Sequence, residues 1–253
     1  MDFANWIYDI EKESRKIQKL TEQNSEILSS IHDLPIKKAA VLIALFQYNG
    51  KPHVILTERS HHLRTHPGDV ALPGGKVDDE DENYIDAALR EAEEEIGLQR
   101  KNVQVVGAIM PVPSSVAKVI ITPVVGFVNN ITDIKLEINE HEVKSIFAVP
   151  FEFFLSGGQT HYFTVKGQEH SFLKFFWNCQ KYAAELPSRD CESLKMLFNS
   201  EKIYKIWGIT GIMLNVYSSF IFNKQENFSN SGNMVKFFRR MVSEMLKENK
   251  SKL

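Results

Sequence analysis

Cysteine is nearly absent: Cys179 and Cys191 are the two thiols in 253 residues. Two cysteines cannot staple a chain of this length into a disulfide framework. Its stability has to come from a hydrophobic core, and a reducing compartment is the simpler setting. Long apolar runs are missing as well. The longest, residues 39–46 and 119–128, fall far short of the ~20 residues that a membrane-spanning helix needs. Residues 1–30 mix apolar and charged side chains without a continuous apolar stretch, which excludes a secretory signal there. Charge of one sign is also lacking. Thirty Lys and Arg stand against 32 Asp and Glu, so no global field favours nucleic acid or an anionic membrane. Internal repeats and low-complexity tracts do not occur.

What the chain does have is core material. With 43% apolar residues it can fill one full-sized core, with little left for a second domain. Residues 1–30 read as an amphipathic helix through Phe3, Trp6, Ile7, Ile10, Ile17 and Leu20. Residues 39–46 and 53–57 read as two strands joined by a turn at Asn49-Gly50. Residues 83–96 predict a helix with Ile85, Ala88, Leu89, Ala92 and Ile96 on one side and Gly97 as a left-handed cap. Strands are expected at 103–112 and 119–128 around a loop at 113–118, and again at 143–149, 161–165 and 172–177. Residues 178–202 read as a polar, partly helical insertion, and 209–222 as a buried helix. Residues 234–246 form a closing amphipathic helix carrying Lys236, Arg239 and Arg240. This order of elements predicts one α/β or α+β domain with helices packed on a mixed sheet.

The segment that carries chemistry is 74–98. It opens with Leu72-Pro73-Gly74-Gly75, a turn where backbone can approach a ligand closely. It ends in Arg90-Glu91-Ala92-Glu93-Glu94-Glu95-Ile96-Gly97-Leu98. Glu91, Glu94 and Glu95 stand at i, i+3 and i+4, so on a helix their carboxylates share one side. Like charges at such spacings each destabilise a helix by roughly 0.2–0.5 kcal/mol. A divalent cation reverses that sign, and an all-oxygen donor set suits Mg²⁺ or Mn²⁺. Three histidines, His61, His62 and His66, suggest zinc at first sight. The cysteines are far away and no paired ligand spacing exists, so zinc is rejected.

Taken whole, the spacing resembles the Nudix box, G-x5-E-x7-R-E-U-x-E-E-x-G-U with U a bulky apolar residue. Two departures stand out. Arg90 lies fifteen residues after Gly75 rather than fourteen, so either Asp81 or Glu82 occupies the first acidic position. Ala92 is small for its place. Upstream, Leu56-Thr57-Glu58-Arg59-Ser60, Leu63-Arg64, His66 and Gly68-Asp69-Val70-Ala71-Leu72-Pro73-Gly74-Gly75 are similar to the signature of the coenzyme A diphosphatase branch, which also has the longer box. Leu72 replaces the usual Phe. Ile121-Thr122-Pro123-Val124-Val125-Gly126 and Trp207-Gly208-Ile209-Thr210-Gly211 look like further family segments, so the resemblance covers about residues 39–222.

The resemblance implies a Nudix fold: a mixed β-sheet between helices, with residues 1–38 as an added N-terminal helix and 223–253 as a C-terminal helix and tail. It implies metal-dependent hydrolysis of the diphosphate of coenzyme A or acyl-coenzyme A to 3′,5′-ADP and (acyl-)4′-phosphopantetheine. Glu91 and Glu95 would hold Mg²⁺ or Mn²⁺, with Glu94 third and the Gly75 carbonyl contributing. Arg90 would brace the carboxylates. The general base stays open between Glu94 and Glu142. Arg59, Arg64 and His66 would bind substrate phosphates. Ser114-Ser115 is assigned no role. The final Ser251-Lys252-Leu253 reads as a peroxisomal address, with an import receptor as partner. Two other readings stand beside this one: a Nudix enzyme for NADH or ADP-ribose, and a Nudix-fold binding module without turnover.

Overall fold

Lys37–Tyr48 is continuously apolar from Ala39 to Phe46, which suits a strand covered on both sides. In the structure, a computed structural model, it is the hub of the fold. Residues 36–114, 118–156, 158–165, 168–184 and 191–222 are described. The helices expected at 1–30 and 234–246, and Ser251-Lys252-Leu253, lie outside the described residues. Along this strand, β1, Ala40, Leu42, Ala44 and Phe46 enter one hydrophobic core, while Ile43 and Leu45 enter another on the opposite face. The alternation is the pleat of a strand expressed as two cores.

β1 turns through Asn49 (φ 49°) and Gly50 (φ 71°) into β2, Lys51–Arg59. Two left-handed residues in a two-residue loop make the hairpin expected from Asn-Gly. β3 (Val70–Ala71) pairs with β2, and β4 (Gly74–Lys76) pairs with β1. β5 (Val103–Ala108) and β6 (Val112–Ser114) run antiparallel to β7, Val119–Val128. β7 runs parallel to β1, and β8 (Val143–Pro150) is antiparallel to β2. The sheet of eight strands is therefore mixed.

Helix α1, Tyr84–Ile96, covers one face. Ala87, Ala88, Leu89, Ala92 and Ile96 are buried there in the same core as Ala40. Ala92, the small residue in the box, is thus one of several alanines on both helix and strand. Against the other face lie a three-stranded antiparallel sheet and a helix: β9 (Gln159–Val165), β10 (Gln168–Asn178), β11 (Ile203–Trp207) and Gly208–Ile221. Strand β11 had no expectation from sequence.

Residues 178–202 are partly helical, as expected, but they are not simply polar. They hold α2 (Cys179–Ala184) and α3 (Glu192–Phe198); Gly208–Ile221 is then α4. Leu194, Leu197 and Phe198 are buried at helical spacing and join the α1-side core. Among the described residues neither Cys179, which is buried, nor the half-buried Cys191 forms a disulfide. Among the described residues no helix is long and apolar enough to cross a membrane.

Candidate active site

The site grows from α1. Asn83 caps its N-terminus, accepting from the N–H of Ile85 (2.9 Å) and of Asp86 (3.0 Å). Gly97 ends it at φ 69°, and a Cβ there would press on Glu137. Helix C-termini leave carbonyls without intrahelical donors. Here a distant segment supplies them: Glu137 N–H donates to the Ile96 carbonyl (3.0 Å) and Asn139 N–H to that of Glu95 (2.9 Å). The segment then turns, with Glu142 and Val143 N–H both donating to the Asn139 carbonyl. Helix capping thereby delivers Glu142 to the helix's acidic side.

Carboxylate oxygens of Glu91, Glu95 and Glu142 all lie within 4.8 Å of one another. Among the described residues this is the group able to hold a metal ion, and none of His61, His62 or His66 joins it. Glu94 does not join it either. Its side chain is 53% exposed and accepts from Arg90 Nη1 at 3.1 Å. Successive helical residues differ by about 100°, so Glu94 and Glu95 diverge while Glu91 and Glu95 stay aligned.

Gly74 and Gly75 form part of β4 rather than a free turn. Gly74 has φ 149°, and a Cβ there would strike the Ala40 backbone. A Cβ on Gly75 would fall inside the Glu91 carboxylate. The close approach that these glycines permit is thus to β1 on one side and to a candidate metal ligand on the other. Gly74 N–H also donates to Glu95 Oε2 at 3.2 Å.

Arg90 holds this side together. Its Nε and Nη2 grip Asp81 with two bonds of 2.9 Å, and Nη1 reaches Glu91 at 3.2 Å. Nη2 also donates to the Lys76 carbonyl at 3.1 Å. Of the two adjacent acids, Asp81 is the one that Arg90 binds; Glu82 is exposed. The guanidinium holds Asp81 below the usual carboxylate range, and Asp81 first, then Glu91 and Glu94, hold Arg90 above its own. Burial acts oppositely on the ligands. It raises Glu91 against the pull of Arg90, and it pushes Glu95 up to about 8, with Glu91 and Glu142 adding to the rise. The Gly74 N–H and the Arg59 charge oppose it.

Arg59, at the end of β2, has a buried Nε that no group bonds among the described residues. Arg64 and His66 lie exposed on the loop that follows. His66 adopts φ 54°, and its Nδ1 donates to Asp69 Oδ2 at 3.1 Å. The Arg59 charge is thus felt at Glu95, whereas Arg64 and His66 are exposed on the loop. Ser114 ends β6, and Ser115 lies outside the described residues. Two participants had weak sequence signals. Asp81 was one of two adjacent acids, and Glu142 sat in an unremarkable polar turn.

One buried and two half-buried carboxylates held this close together are an expensive arrangement unless a cation joins them. Their donors are all hard oxygens, and the glycine beside Glu91 keeps the space open. The residues therefore fit a divalent cation of the Mg²⁺ type.

A family model described as the NUDIX domain matches residues 36–159. The chain is similar to an uncharacterized Nudix hydrolase, NudL, of Photorhabdus laumondii: 41% identical over 143 residues, 56% of this chain and 74% of that protein. The NudL protein of Escherichia fergusonii is 44% identical over 125 residues, 49% of this chain and 63% of the other. Nudix hydrolase 3 of Caenorhabditis elegans is 32% identical over 182 residues, 70% of each chain.

Proposed function

The chain belongs to the Nudix hydrolases, which act on phosphoric anhydrides, and from that premise we propose that it hydrolyses the diphosphate of coenzyme A or acyl-coenzyme A, releasing 3′,5′-ADP and (acyl-)4′-phosphopantetheine. The observation that carries the reading is Arg59. A buried guanidinium nitrogen without a bond among the described residues, on an arginine whose charge is felt at Glu95, is a donor suited to an anion. It lies in the stretch from Leu56 to Gly75 that resembles the coenzyme A diphosphatase signature.

Glu91 and Glu95 would hold the cation, Mg²⁺ or Mn²⁺, with the Gly75 carbonyl beside them. When bound, such an ion offsets the diphosphate's charge and makes water a better nucleophile at neutral pH. Arg90, anchored on Asp81, orients Glu91. Arg59 takes a diphosphate oxygen, and Arg64 and His66 take the outlying phosphate. Glu142 accepts the proton of the attacking water, because its carboxylate faces both helix acids while that of Glu94 is turned to Arg90. The Ser251-Lys252-Leu253 motif supports a peroxisomal address. Loss of punctate fluorescence on its deletion checks that part.

Purified protein with Mg²⁺ or Mn²⁺ is given coenzyme A, an acyl-coenzyme A, NADH and ADP-ribose, and products are identified by mass. Metal-dependent release of 3′,5′-ADP, faster than cleavage of the other two, is expected. Preference for NADH or ADP-ribose would retire coenzyme A as substrate.

A further inference from the structure

We propose that Asp69 and Trp207 form a clamp that fixes the loop of residues 60–68 on strand β11, and that affinity for the substrate's phosphates depends on this clamp. The inference rests on the reading that Arg64 and His66, carried by that loop, bind phosphate. The neck of the loop is closed by backbone: Arg59 N–H donates to the Asp69 carbonyl (3.0 Å), and Gly68 N–H to that of Arg59 (3.1 Å). Beyond the neck, one carboxylate does two things. Asp69 Oδ2 accepts from His66 Nδ1, and Asp69 Oδ1 accepts from Trp207 Nε1 at 3.2 Å. The indole comes from the second sheet, 138 residues away. Its ring face is covered by Lys205 Nζ, 4.9 Å from the ring centroid, which restrains the donor's orientation.

His66 needs such a hold. A non-glycine residue with a left-handed backbone is strained and persists where its surroundings over-determine it. The loop's other flank is packed too. The His61 ring lies where a Gly68 Cβ would stand, and its Nε2 is 3.7 Å from Glu58 Oε1. Glu58 is in turn bonded by Lys202 and by Ser145 (2.9 Å). A loop fixed before binding loses less freedom when the ligand arrives, so the clamp acts on affinity and not on the chemical step. Asp69 and Trp207 are positioning residues in this sense.

The test measures KM, kcat and melting temperature for Asp69→Ala, Asp69→Asn and Trp207→Phe, with wild type first assayed on coenzyme A. Trp207→Phe loses the one part-buried bond to Asp69, and Asp69→Ala loses that bond and the exposed one to His66; both should raise KM about five- to tenfold while kcat stays within about threefold. Asp69→Asn keeps an oxygen acceptor for Trp207 and recovers most of the KM. Unchanged KM in Asp69→Ala and Trp207→Phe overturns the clamp. So does a fall in kcat or melting temperature with KM unmoved, which marks a structural role alone. If wild type leaves coenzyme A intact, the substrate reading fails instead, and the same KM comparison is made on the diphosphate it does cleave.

Discussion

Asp81 and Glu95 are both nearly inaccessible carboxylates, with 2% of the Asp81 side chain and 4% of Glu95 exposed. They belong to the same arginine-and-acid cluster, linked through Arg90 and Glu91, and behave in opposite ways. Asp81 meets a guanidinium through two parallel bonds and is held below the ordinary carboxylate range. Glu95 meets one backbone N–H and two other acids, and burial lifts it to about 8. A buried charge is stable when its partner is built into the chain and costly when it is not. Asp81 is completed by the protein. Glu95 is completed by something that binds.

The largest expected effect comes from removing the unpaired charge. Glu95→Gln should lower kcat by about a thousandfold, ~4 kcal/mol, because the proposed metal ligand is lost. The same variant should melt higher than wild type in chelator at pH 8. The sign follows from linkage. A carboxyl raised from 4.5 to about 8 on folding gives stability that is complete below pH 4.5 and lost as pH rises through 8. The full loss is roughly 5 kcal/mol. Melting curves of chelated protein from pH 5 to 8 should fall, and added Mg²⁺ should recover more at pH 8 than at pH 5. A flat chelated profile would break the contrast between the two acids.

Asp81→Ala tests the paired side. It leaves Arg90 Nε without its acceptor, while Glu91, Glu94 and the Lys76 carbonyl still hold the other nitrogens, and should cost about 1–2 kcal/mol of stability at neutral pH, read by denaturant unfolding. A loss smaller than that of an exposed ion pair would show that Asp78, Glu91 and Glu94, which already pair with Arg90, suffice to hold it.

His53 sharpens the comparison with a third buried titratable group. Its Nδ1 donates to the Lys51 carbonyl (3.0 Å) and its Nε2 accepts from Tyr182 Oη (2.7 Å), both satisfied by the neutral ring. Burial lowers it from 6.5 to about 4. Its stability contribution is therefore present above pH 6.5 and lost as pH falls through 4, roughly 3 kcal/mol in all. His53→Phe should flatten that acid limb. The smallest effect is expected for Glu94→Gln. Its exposed bond to Arg90 is worth little, so kcat should stay within about tenfold of wild type. A thousandfold loss would return Glu94 to the centre of the chemistry.

Much of this was legible beforehand where the cause is local. The Asn49-Gly50 hairpin follows from backbone conformations that few residue pairs adopt. The span of α1 follows from its apolar period, Asn83 and Gly97. Arg90, Glu91 and Glu95 were legible because thirteen consecutive helical residues fix their relative directions. The placing of Glu94 was not. Its i+3 spacing allows it to share a side with Glu91, and the choice between cluster and Arg90 depends on where Arg90 is drawn. Asp81 draws it, and a β4 strand holds the Lys76 carbonyl in reach.

By itself the sequence determined the segments whose reason lies within a few residues: strands buried on both faces, a capped acidic helix, a pair of glycines beside it, and the motif that identifies the family. Only the tertiary structure decided what completes them. Glu142 reaches the cluster because orphan carbonyls at the end of α1 recruit a segment more than forty residues on, and Asp69 meets Trp207 because two sheets pack together. Both are hydrogen-bonding demands that a chain can meet from any distance, so spacing along the sequence carries no trace of the partner chosen.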